Sequence, residues 1–209
     1  MSSACYCAVI GDIRHSRRLQ ERAKVQVRFL KAISTVNREF KREIVSRFAI
    51  SLGDEFQGLL ASPAESYRFV RRFQELMFPT TFYFGIGVGR LSTALHHSSV
   101  AMDGEVFHRA RAAMVEAKRV RRDVLYSMDI PELPLVNALV GLIDHERSRM
   151  TPRQKQIAAL LSALHTQESV AKRLRISQPV VSRSVAPFRR MHEAETVVQE
   201  VLRRFDGVS

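Results

Sequence analysis

The stretch Ser51-Leu52-Gly53-Asp54-Glu55-Phe56-Gln57 lies between two short apolar runs. Glycine followed by aspartate at its centre reads as a tight hairpin tip, because glycine lets the backbone turn. Phe48 to Ser51 and Phe56 to Leu60 then become the paired strands. A second Gly-Asp, Gly11-Asp12, follows the apolar run Ala4 to Ile10, which reads as a buried first strand. Neighbouring strands lie about 5 Å apart, so Asp12 and Asp54 are expected to meet at one sheet edge. Two converging carboxylates repel unless a cation separates them, and Mg²⁺ is typically held by one or two carboxylates plus phosphates. Asp and Gly also mark turns with no further role, and that alternative stays open.

Working outward, Leu19, Ala23, Val27, Leu30, Ile33, Val36 and Phe40 recur at helical spacing after Asp12. Ser62-Pro63-Ala64-Glu65 has the form of a capping box with proline at the first helical position, opening a helix that runs to about Leu76. Thr80 to Gly87 reads as a fourth strand. The order β-α-β-β-α-β predicts a ferredoxin-like, split βαβ arrangement. A helix from about Gly104 to Lys118 and a strand from Asp123 to Ser127 complete this domain, residues 1–127. Pro131 and Pro134 mark a break, and Leu135 to Glu146 reads as a connecting helix within a linker at 128–150. A second capping box, Thr151-Pro152-Arg153-Gln154, opens an all-helical domain at 151–209. The predicted fold class is therefore α+β with an all-α tail.

Of 209 residues, 45% are hydrophobic, which is enough for a packed core, and the formal net charge is +12. That charge favours a polyanionic partner, although a solvated basic surface also explains it. The apolar stretches fall far short of the ~20 residues needed to span a bilayer. Met1-Ser2-Ser3 lacks the basic start of a signal peptide, so a cytoplasmic protein with no membrane partner is expected. Cys5 and Cys7, two apart on the first strand, match neither a zinc pair nor a redox CxxC, and are expected as buried thiols.

The tail carries a second constellation. Thr166 to Leu174 supplies the first helix of a helix-turn-helix, with small Ala171 where the helices cross. Arg175-Ile176-Ser177 is the turn, Ile176 plugging the core and Ser177 placed as an N-cap. The next helix opens at Gln178, with Val181 and Val185 facing inward. Gln178, Pro179, Ser182 and Arg183 face the groove, where the first residues of such a helix meet base edges. Lys172, Arg173, Arg175, Arg189 and Arg190 suit phosphates, which position without reading sequence. Pro187 is expected to kink or end this helix. A helical bundle that packs only against a protein partner remains the alternative.

The tail segment resembles the helix-turn-helix of bacterial regulators over about thirty residues, which implies a double-stranded DNA partner. Asp12, Gly53-Asp54, Phe84-Gly85-Ile86-Gly87-Val88-Gly89 and Gly104-Glu105-Val106-Phe107-His108 fall in the order of signature segments of class III nucleotide cyclases. Closer still, Gly11 to Ser16, Gly53 to Gln57 and the basic tail together resemble the SatD family over nearly the whole chain. The cyclase resemblance implies a palm-like fold in which Asp12, Asp54 and the Ile13 carbonyl hold Mg²⁺ or Mn²⁺ over a nucleotide. Backbone N–H groups from Arg14, His15 and Ser16 would cradle phosphates at a helix start. Elsewhere the chain departs from the cyclases. Ile50 stands where they carry a base-selecting lysine, and Ala101 where they carry a base-reading aspartate. His108 matches their transition-state asparagine, and Ala112 their transition-state arginine, with Arg111 one residue off. Losing such a stabiliser typically lowers the rate about 10²–10³-fold.

Two functions follow as expectations. One is a DNA-binding regulatory protein with a cyclase-like domain, working as a homodimer. The other is a metal-dependent nucleotidyl-transfer or cyclase-like enzyme targeted by its tail. Weaker signals read as local structure: Gly85-x-Gly87-x-Gly89 as a strand end and His96-His97 as a polar loop. Lys118-Arg119-Val120-Arg121-Arg122 reads as a phosphate site or a solvated helix end.

Overall fold

The computed structural model describes residues 4–164 and 166–205, with the side chains of Arg18, Ala159, 162–164 and 185–190 outside the description. Five strands form one mixed sheet in the order β2-β3-β1-β4-β5: β1 Tyr6–Ile13, β2 Ile44–Leu52, β3 Glu55–Leu60, β4 Phe82–Gly89 and β5 Val124–Ser127. β1 is central and antiparallel to both β3 and β4, while β5 runs parallel to β4. The hairpin forms as expected. Leu52 pairs with Glu55, and Gly53 takes a positive φ of 53° at the two-residue turn.

One face of the sheet is covered by α1 (Arg22–Glu39) and α2 (Ser66–Met77) over an aromatic core. Phe56 stacks on Phe73 at 4.3 Å between ring centroids, and Phe48 on Phe69 at 4.1 Å. α3 (Glu105–Val120) lies on the opposite face against Ala8, Ile10 and Leu59. Its close approach explains the glycine run. A Cβ on Gly85 would come within 2.0 Å of the Ala110 carbonyl oxygen, and one on Gly87 within 2.3 Å of the Ala110 nitrogen. Gly85 and Gly87 thus lie inside β4 and seat a helix, while Gly89 is the last residue of the strand.

Several local expectations need correction. α1 buries Phe29, Ala32, Ile33 and Val36, whereas Val27 and Leu30 are exposed and Leu19 precedes the helix. The first capping box does not form. α2 starts at Ser66, whose hydroxyl donates to Pro63 O, while Glu65 is drawn to Arg68 at 2.9 Å. Cys7 is buried on β1, but Cys5 precedes the strand and is exposed.

The C-terminal part comprises α4 (Leu133–Arg149), α5 (Pro152–Leu164), α6 (Gln167–Leu174) and α7 (Gln178–Arg204). At α5 the capping box is reciprocal: Gln154 N–H donates to Thr151 Oγ1 at 3.2 Å, and Thr151 N–H to Gln154 Oε1 at 2.9 Å. Val136, Val140 and Ile143 of α4 join the main core together with Val198 and Leu202 of α7. α7 does not end at Pro187. It continues to Arg204, about 40 Å at 1.5 Å per residue, its far half held by those buried side chains. Its near half packs through Val181 on Ile157, Val170 and Ala171. One helix thus belongs to both the small helical cluster and the sheet core.

Candidate functional site

The register of β1 and β3 sets Asp12 directly opposite Glu55, one residue after Asp54. Opposed residues in an antiparallel pair project to the same face, here the face under α3. The main chains are tied where Ile13 N–H donates to Asp54 O at 3.2 Å. Across this row α3 presents Arg111 and Lys118, seven residues and about two turns apart on one helix face. Lys118 Nζ lies 2.7 Å from Asp12 Oδ2. Arg111 grips Glu55 with both terminal nitrogens, one at 2.9 Å, and Ser51 Oγ donates to the same carboxylate at 2.7 Å. The cluster holds three carboxylates against two cations.

Its electrostatics follow from burial and these partners. Burial pushes the Asp12 carboxyl up; the hydrogen bond and charge of Lys118 pull it down, and the charges of Asp54 and Glu55 raise it again. The net position is above the ordinary aspartate value. Burial also raises Glu55, but hydrogen bonds from Arg111 and Ser51, with the charges of Arg111 and Lys118, outweigh it and hold the group low. Asp54 is felt electrostatically at Asp12, while the direct cross-strand partner of Asp12 is Glu55. The sequence reading missed Glu55 and the long-range arrival of Lys118 and Arg111.

The other expected nucleotide contacts are arranged differently. The Arg14 N–H donates to Thr81 O at 2.9 Å, while its guanidinium pairs with Asp123 and lies 3.9 Å over the Tyr83 ring. His15 adopts a left-handed conformation, and Ser16 opens a single 3₁₀ turn to Arg18. No long helix starts there to cradle a phosphate, and the Arg14 N–H is already used. His108 is exposed and sits 3.2 Å from Asp103 Oδ1. Within the basic cluster, Lys118 is committed to Asp12, Arg119 to Glu116 at 2.6 Å, and Arg122 to Asn137 O at 3.0 Å.

A divalent ion is tested by this donor set. Among the described residues no group of three or more His, Cys, Asp or Glu is arranged to hold a metal, and Asp12 already faces an internal cation. An ion bound through Asp12 would have to displace the Lys118 ammonium.

In the tail, the Thr166 side chain caps α6 by accepting from Ser169 N–H at 3.2 Å. Arg175 takes the left-handed conformation that ends α6, and Ile176 N–H returns to Ala171 O at 3.0 Å. Ser177 is the N-cap of α7 by position, though its side chain makes no cap hydrogen bond. Buried Val170, Ala171 and Val181 clamp the helices together. Gln178, Pro179, Ser182 and Arg183 are all exposed, as are Lys172, Arg173 and Arg175 beside them. The side chains of Val185, Arg189 and Arg190, assigned to the same segment, lie outside the described residues. No described helix is long and apolar enough to cross a membrane.

The sequence model of the SatD family matches residues 6–184. No curated protein sequence matches the chain. Among solved structures, that of a bacterial light-regulated adenylyl cyclase aligns at 13% identity with a TM-score of 0.44, covering 59% of this chain and 76% of its own. A second structure of a bacterial light-regulated adenylyl cyclase aligns at 11% identity with a TM-score of 0.44, covering 59% and 43%.

Proposed function

The chain belongs to the SatD family, and we propose that it acts as a DNA-binding regulatory protein. The observation that carries this reading is the start of α7. Its inward side chain, Val181, is buried against α6, while Gln178, Pro179, Ser182 and Arg183 are exposed next to Lys172, Arg173 and Arg175. In this reading the pair α6–α7 is a helix-turn-helix: the first turn of α7 enters the major groove, and the basic residues hold phosphates. The net charge of +12 supports a polyanionic partner. Such readers commonly act as dimers on half-sites about one DNA turn apart, and a homodimer belongs to the proposal. Incubation with sheared genomic DNA, followed by sequencing of the retained duplex, tests it. A shared sequence among the fragments supports the reading, and a uniform genomic background refutes it.

The sheet unit is read as a ferredoxin-like, cyclase-type domain, supported by its strand order and by the Asp12–Asp54 juxtaposition. In this part of the proposal Asp12 and Asp54 bind a metal–nucleotide, with Lys118 released towards phosphate. A bound Mg²⁺ or Mn²⁺ would neutralise phosphate charge and act as a Lewis acid there. The second reading, a metal-dependent nucleotidyl-transfer enzyme, draws on the same carboxylates. Two observations weigh against it: His108 is engaged with Asp103, and Arg111 with Glu55. Incubation with each nucleoside triphosphate and Mn²⁺ separates the two; product that disappears in Asp12→Asn and Asp54→Asn favours the enzyme.

A further inference from the structure

A cavity of about 1010 Å³ opens between the sheet unit and the tail helices, reached by Phe82 on the sheet face opposite to that of Asp12. Small-molecule sites typically measure about 300–1,000 Å³. α2 contributes Arg71, α4 contributes Asp144 and Arg147, and Phe82, Met150 and Met191 supply apolar wall.

Asp144 decides the chemistry. It is only 8% exposed, it lines the cavity, and neither carboxylate oxygen has a hydrogen-bond partner. Buried polar groups in folded proteins are nearly always bonded, and an unbonded one is costly. The neighbouring charges do not supply what it lacks. Arg14 is paired with Asp123, and Arg147 Nη2 donates to Glu195 at 2.6 Å, leaving the buried Arg147 Nε without an acceptor. Arg71 donates to the Gln74 side chain and, among the described residues, has no carboxylate partner. One chamber therefore holds an acid without a donor, the Arg71 guanidinium without a carboxylate among the described residues, and an Arg147 Nε without an acceptor. An occupant that completes these must carry a cationic donor and an anionic acceptor on one small apolar body.

We propose that this cavity binds a free amino acid with an apolar or aromatic side chain. Its ammonium donates to Asp144, its carboxylate accepts from Arg71 and Arg147, and its side chain lies along Phe82, Met150 and Met191. The site is independent of the Asp12 cluster and stands whether or not the tail reads DNA.

Titration calorimetry on the full chain with L-phenylalanine, L-methionine and L-leucine tests this directly. At least one is expected to bind with 1:1 stoichiometry. Phenethylamine, which lacks the carboxylate, and 3-phenylpropanoate, which lacks the ammonium, are each expected to bind at least about tenfold more weakly than L-phenylalanine, since each forfeits a charge-assisted contact. Asp144→Asn and Arg71→Met should each weaken binding by a similar factor. Thermal melts identify any variant that fails to fold, and the comparison of analogues on the wild type stands without them. Silence from all three amino acids at millimolar concentration overturns the proposal. So does equal binding of either one-pole analogue, or unchanged affinity in a folded Asp144→Asn protein.

Discussion

Asp144→Asn isolates the energetic consequence of the buried acid. Burial first, then the charge of Asp123, lifts the Asp144 carboxyl from 3.8 to about 7, against the opposing charges of Arg71, Arg147 and Arg14. The folded chain therefore holds this proton more tightly than the unfolded chain does. The stabilisation from the group is fully present below about pH 4 and is lost as pH rises through about 7. A shift of roughly three units corresponds to about 4 kcal/mol once the group is ionised in both states. Asparagine keeps the shape of the neutral acid and has no proton to lose. Urea unfolding of wild type and variant from about pH 4 to pH 8.5 should show a stability gap in favour of the variant. That gap grows from under about 1 kcal/mol at the acid end to about 4 kcal/mol, and flattens above pH 7. A gap that is constant across the range, or one that opens towards acid, would refute the burial argument.

Gly87→Val should destabilise the fold by about 3 kcal/mol or more, because its side chain enters the α3 backbone where no rotamer can relieve the contact; a thermal melt checks this, and a native melting temperature contradicts it. Lys118→Met removes the internal cation from Asp12 and should raise Mn²⁺ affinity at the Asp12–Asp54 pair about tenfold or more, read by calorimetry and lost again when Asp12→Asn is added. Unchanged metal affinity would mean that Lys118 and the ion do not compete. Light scattering at micromolar concentration should give the mass of a dimer, and a monomer with and without DNA would remove the homodimer from the proposal.

What could be read from the sequence was local. The Gly53-Asp54 turn needs only a positive φ and flanking apolar runs, and the Thr151–Gln154 cap needs only its own four residues. Both formed as expected. The apolar stripe of helix α1 was read correctly at Ile33, Val36 and Phe40, which are buried, but wrongly at Val27 and Leu30, which are exposed while Phe29 is buried. Only the packing of Phe29 on Phe56 and Phe73 selects the buried stripe. Gly85 and Gly87 of β4 looked like punctuation because their reason, the α3 backbone, comes more than twenty residues later. Asp12 and Asp54 were legible as a pair, but Glu55 becomes a member only through the β1–β3 register. Lys118 and Arg111 reach the carboxylates through helix docking, which no short motif encodes. Pro187 was read as a kink or an end from its local chemistry; the helix does not end there, and the burial of Val198 and Leu202 holds its continuation to Arg204.

Fluorescence anisotropy with a duplex selected from genomic fragments, at about 50 and 200 mM salt, addresses the DNA-reading role most directly. The account predicts binding that weakens by about 10³-fold or more between the two salts if about six phosphates are neutralised. Arg183→Ala should weaken binding by a further factor of about 5–150 and relax the sequence preference, through loss of a base contact. No duplex binding at the lower salt, or a folded Arg183→Ala protein that binds and discriminates like wild type, would contradict it.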